Sequence, residues 1–232
     1  MNWTYFWIDI ATIAGPLALS FDKKVAFFKN YKFFIPAILI PSILYLIWDI
    51  IFTRLDIWVF NSKYTLGLYF VNLPWEEIGF FICIPYACLF MYECLRVYFP
   101  NISVPRIAKL VAWLVVLLCA VAIYYYPNQI YTSVTAILLM ITLLNHLWVT
   151  KGDYLTHMLL AWIVAIVPMY IVNGLLTGLP ILIYNDTQNT GIRVGTIPIE
   201  DFFYNLLYMV WMIWIFERNR QKKSHAENAT AN

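Results

Sequence analysis

Apolar residues in this chain come in long blocks, broken by short polar stretches in which nearly all the charges collect. A helix needs about 20 apolar residues to cross the hydrocarbon core of a bilayer. Seven blocks reach or approach that length, at 3–20, 33–53, 78–97, 107–126, 130–149, 154–176 and 198–217. The first is the shortest and is interrupted by Gly15-Pro16. The pattern predicts an all-α integral membrane protein of about seven transmembrane helices.

A second pattern lies over the first. A shift of 124 positions superposes two stretches of about fifty residues without a gap. It places Thr53 on Thr177, Asn61 on Asn185, Gly67 on Gly191, Pro74 on Pro198, Glu76 on Glu200, Glu93 on Glu217 and Arg96 on Arg220. Glu77 meets Asp201, Asp49 meets Asn173, and Phe80 meets Tyr204. Chance agreement in such a chain would pair Leu with Ile, whereas these matches use scarce residue types. The offset spans four helices, an even number, so the two copies run the same way through the membrane. The expected organisation is two parallel three-helix repeats, 1–98 and 129–218, joined by a linker helix in 99–128. A tail, 219–232, is expected to be disordered.

Charge sets the expected sidedness. Twelve of the fifteen Lys and Arg fall before spans 2, 4 and 6 or in the tail, leaving only Arg54, Lys63 and Arg193 for the opposite side. By the positive-inside rule this gives a multi-pass cell-membrane protein with its N-terminus outside and its C-terminus cytoplasmic. Two loops, 54–75 and 177–197, then lie on the outer face. The first block lacks a basic leader, so no cleaved signal peptide is expected.

Composition narrows the function. The chain is 62% hydrophobic and 12% charged, against about 25% charged in soluble domains. A net charge of +2 gives no reason to expect a nucleic-acid partner. Cys83, Cys88, Cys94 and Cys119 lack metal-ligand spacing and are expected to be small buried hydrophobes. There is no phosphate-binding or dinucleotide fingerprint, and no metal or cofactor is expected.

The candidate chemistry lies in Pro74-Trp75-Glu76-Glu77 and Pro198-Ile199-Glu200-Asp201. Alone, each reads as a helix start, with a preorganised Pro followed by acids that complement the helix dipole. Together they place four carboxyl groups at matched depth in apolar spans, where ionisable residues default to function. Burial favours the neutral form of a carboxylic acid. One such group can protonate an apolar substrate while a second takes a proton back, and aromatic faces can stabilise an intervening cation. Asp49, Asn173, Asn61, Asn185, Trp75, Phe80, Phe81, Phe202 and Tyr204 are the expected substrate-binding residues, and Asp9 is a further polar group that can face the same cavity. Asn61 and Asn185 also suit turns. Glu93/Arg96 and Glu217/Arg220 have the spacing of structural ion pairs, while His146 and His157 lie far from the motifs.

Both motifs, with Tyr64-Thr65-Leu66-Gly67 before the first and Gly191 before the second, resemble the two signatures of the lycopene cyclase domain family. The resemblance covers about residues 1–218 and is closest to the fused single-chain form. It implies a cofactor-free β-cyclase, with lycopene or a related linear carotenoid as substrate and Glu76, Glu77, Glu200 and Asp201 doing acid/base work. Specificity for an ε ring or an elongated substrate stays open, as does a homo-oligomer or an association with other carotenoid enzymes. A small transporter or channel is the alternative, but it would carry polar residues along mid-span positions that are apolar here. A retinal protein would need a lysine in the last span, and 198–217 has none.

Overall fold

The computed structural model describes residues 2–149 and 154–230. Among these are seven α-helices: α1 (Thr4–Leu19), α2 (Tyr31–Arg54), α3 (Trp75–Tyr98), α4 (Pro105–Tyr125), α5 (Ile130–Val149), α6 (Leu155–Gly178) and α7 (Ile199–Thr230). Each covers one of the seven blocks, and their starts lie within three residues of the expected limits. Six are long and apolar enough to cross a membrane. The exception, α1, has 16 residues, or about 24 Å at ~1.5 Å per residue, short of a ~30 Å hydrocarbon core. Pro16 falls inside its last turn and the helix stops at Leu19.

Helix α7 runs on through 219–230 of the expected tail, and 231–232 lie outside the described residues. Arg220 bonds Glu217 one turn back, and Gln, Lys, Ala and Glu beyond it are good helix formers.

Among the described residues, the connections after α2 and α6 carry all the strands, in matched sets. They are β1 (Trp58–Phe60), β2 (Tyr69–Phe70), β3 (Leu73–Pro74), β4 (Leu182–Tyr184), β5 (Arg193–Val194) and β6 (Ile197–Pro198). Hairpins β2–β3 and β5–β6 each end in the Pro that opens the next helix. Gly67 and Gly191, 124 apart, both take positive φ, 78° and 72°, a conformation open to glycine at little cost. Strands β1 and β4 pair antiparallel across the molecule, and Val59 faces Ile183, its own counterpart at the 124-residue shift. The flanking bonds match too. Asn61 N–H donates to the Ile181 carbonyl at 2.8 Å and Asn185 N–H to the Ile57 carbonyl at 2.9 Å.

The helices repeat this correspondence. Helix α1 packs on α3 as α5 packs on α7, and α2 crosses to α7 as α6 crosses to α3. Helix α4 lies outside, mainly against α5. At the end away from the strands, Glu93 pairs with Arg96 and Glu217 with Arg220, both at 2.5 Å. A third pair, Arg220–Glu93 at 3.6 Å, joins α7 to α3. The spacing-based expectation of structural ion pairs agrees with this cluster. Lys24 sits over Tyr98 and Lys223 over Phe33, so basic residues gather at this end. Cys83, Cys88 and Cys119 are buried and Cys94 is half-buried, all four as free thiols.

Candidate active site

Trp75 and Ile199 begin α3 and α7, and their N–H groups donate back to the Leu68 and Ile192 carbonyls at 3.0 and 2.9 Å. This sets the two acids of each motif in the first helical turn, where adjacent residues point about 100° apart. They have different surroundings in consequence.

Glu76 and Glu200 turn toward the loops. Glu76 accepts the Leu66 N–H at 2.6 Å, and Glu200 accepts the Thr190 N–H at 2.7 Å and the Thr132 hydroxyl at 2.6 Å. Both are buried, and neither lines the large cavity; they hold the segments around Gly67 and Gly191 in place. The four-acid expectation therefore separates into two loop anchors and two cavity acids.

Glu77 and Asp201 turn inward and line a cavity of about 690 Å³ among α1, α3, α6 and α7, within the ~300–1,000 Å³ range of small-molecule sites. The Tyr5 hydroxyl donates to Glu77 at 2.5 Å and the Tyr131 hydroxyl to Asp201 at 2.6 Å. Asp201 also accepts the Tyr184 hydroxyl at 2.9 Å and the Asn173 amide at 3.2 Å. Tyr184, in the loop between α6 and α7, is kept in its neutral donor form: burial pushes its pKa well above the ordinary phenol value, and neighbouring Asp201 adds to the shift.

Asp49 and Asn173 supply the main asymmetry. Each neighbours the inward acid of one half. Asn173 offers Asp201 an amide donor. Asp49 offers Glu77 another carboxyl within hydrogen-bonding reach, and the Tyr204 hydroxyl donates to Asp49 at 3.3 Å. Two carboxylates are both acceptors, so a hydrogen bond between them needs a proton on one. An amide N–H instead needs an acceptor, which a carboxylate supplies. A hydrogen bond between Asp49 and Glu77 therefore needs a proton on one of them, whereas the Asn173 bond needs none on Asp201.

The remaining expected residues divide. Phe80, Phe81 and Tyr204 line the cavity. Trp75 does not; it is exposed, because the first helical position lies on the outer side of α3. Asn61 accepts the Lys63 N–H, and Asn185 accepts the Thr187 N–H and donates to the Asp56 carbonyl, so both serve turns. Phe202 is buried outside the cavity, with its carbonyl taken by Trp162. Asp9 is buried on α1, one oxygen close over Gly79, and does not line the cavity. His157 lies near the Phe99 carbonyl and His146 against Tyr154, both away from the acids.

Tyr5, Tyr131 and Tyr184 were not anticipated. Tyr5 and Tyr131 are 126 apart rather than 124, so a superposition carried back into α1 and α5 with a two-residue slip would have paired them.

The family model for lycopene cyclase matches the chain twice, over residues 2–95 and over residues 128–218. This chain belongs to the lycopene cyclase family. No curated protein and no solved structure matches it. The two matched segments hold one inward acid each, Glu77 and Asp201.

Proposed function

We propose that this protein is a membrane-embedded lycopene β-cyclase that closes the linear ends of lycopene into β-ionone rings without a redox cofactor. The observation that carries the reading is the placement of Asp49, Glu77 and Asp201 in one largely apolar cavity, with two neighbouring carboxyl groups on one side and a carboxyl group that accepts three donors on the other.

The Asp49–Glu77 pair delivers its proton to C2 of the terminal double bond, leaving a cation at C1. The C5=C6 bond attacks it, forming the C1–C6 bond and moving the cation to C5. Asp201 takes the proton from C6, which restores the C5=C6 bond and gives the β ring. Loss from C4 would give the ε ring. Atoms balance, because the proton gained equals the proton lost. The next turnover needs only its return from Asp201 to the acid pair. The rings of Tyr204, Trp58 and Tyr131 present aromatic faces to the cation, an interaction of about 0.5–2 kcal/mol per face.

The architecture in this reading is seven spans in the cell membrane, as two parallel repeats, 1–98 and 129–218, around a pseudo-two-fold axis, with α4 as linker. The strand-bearing loops face outward and the arginine cluster faces the cytoplasm. The test is expression in a host that accumulates lycopene, with pigments separated by chromatography. Cyclic carotenes are expected. Unchanged lycopene, with the protein shown to be in the membrane, overturns the proposal.

A further inference from the structure

The cavity is a groove running down the bundle. On α3 its lining extends from Glu77 to Met91, fourteen residues, or about 21 Å. Its acids lie at one end and its walls below them are mostly apolar, with Thr12 and Asn205 among the polar exceptions. Trp7 on α1 and Ile171 on α6 both line it, yet they are 61% and 58% exposed. The groove therefore opens sideways between α1 and α6, onto the surface that faces lipid.

Two similar halves should give two such grooves, the second between α5 and α2. That second groove is filled. Where the open one has Met169, Val172 and Leu176, the residues 124 positions earlier are Tyr45, Trp48 and Phe52, all buried. Where it has Ala87, the counterpart is Trp211. Tyr45 contacts Trp48 at 5.5 Å and Trp211 at 5.8 Å between ring centroids, and Trp48 contacts Phe52 at 5.4 Å. Trp211 Nε1–H donates to the Thr142 hydroxyl at 3.0 Å, tying α7 to α5 inside the second half.

We propose that the protein has a single substrate groove, entered from the lipid between α1 and α6, which takes one half of a long linear polyene at a time. Side chains at Ala87, Val172 and Met169 that are smaller than their counterparts Trp211, Trp48 and Tyr45 keep it open. This rests on the cyclase reading above. A polyene of membrane-spanning length exceeds a ~21 Å groove, so its far half stays in lipid. Its second end reaches the acids only after release and reversed re-entry, and a one-ring product is a free intermediate.

Two measurements on the membrane-inserted protein test this. In the first, Ala87 is changed to Val, Leu and Trp. Cyclisation should fall as the side chain grows, by at least about tenfold for Ala87→Trp, while each variant stays monodisperse in detergent. Ala87→Val and Ala87→Leu keep the series readable if Ala87→Trp fails to fold. Trp211→Phe, in the filled groove, should stay within about twofold. In the second, isotope-labelled lycopene is chased with excess unlabelled lycopene after one ring has formed. Labelled one-ring product should persist. Full activity across the Ala87 series, or conversion of label to two-ring product undiminished by the chase, overturns the single groove. A wild-type protein that leaves lycopene untouched instead overturns the cyclase assignment.

Discussion

Asp201→Asn tests the base directly. The change keeps the volume of the side chain and removes only its ability to take a proton. Asp201 accepts three bonds, from Tyr131, Tyr184 and Asn173. In the variant the retained carbonyl oxygen still accepts from Tyr131, and the Tyr184 hydroxyl can rotate to accept from the new amide. The Asn173 amide then meets another N–H₂ group and one bond is lost. An unmade buried bond costs about 1–3 kcal/mol, which a two-hundred-residue bundle tolerates. The catalytic loss is larger: a positioned general base contributes about 10²–10⁴-fold, or ~2.7–5.4 kcal/mol at about 1.36 kcal/mol per decade. The assay is the initial rate of ring formation from lycopene in proteoliposomes, normalised to folded protein, with a melting curve alongside. Tyr184→Phe is the control. It removes one donor but leaves both carboxylate oxygens, and should cost no more than about tenfold. An Asp201→Asn rate within about threefold of wild type would refute the base assignment.

Asp49→Asn gives the first half the amide that the second has, now beside Glu77, and leaves no carboxyl pair to hold a proton. A loss of at least about 100-fold is expected in the same assay, and an unchanged rate would remove the pair as the acid. Glu76→Gln keeps an acceptor for the Leu66 N–H and should lower the rate by less than about tenfold. A loss matching that of Glu77→Gln would return Glu76 to the chemistry.

Much of this was legible from residues 124 apart. The repeated Pro-x-acid-acid marked both helix starts and the depth of the site, and block lengths placed the helices closely. Which acid of each pair works was not legible. Adjacent helical residues cannot share one cavity face, and which of them turns inward depends on how α3 and α7 are rotated in the bundle. Tyr5, Tyr131 and Tyr184 were hidden for a different reason: among 17 tyrosines, many expected at the membrane interfaces, nothing local distinguishes them. Asn61 and Asn185 repeat faithfully because a shared turn needs them, so repetition marked geometry there rather than chemistry.

The two halves are fastened at opposite ends of the bundle. The β1–β4 ladder ties them at one end, and the Arg220–Glu93 pair ties them at the other. Together these latches oppose splaying of the two halves. Neither latch includes α1, the shortest of the seven helices, which is held chiefly by α3 and by the Asn2-to-Thr65 backbone bond at its start. Helix α1 is therefore the door of a frame bolted at top and bottom, and a disulfide pinning it to α6 should lock it shut.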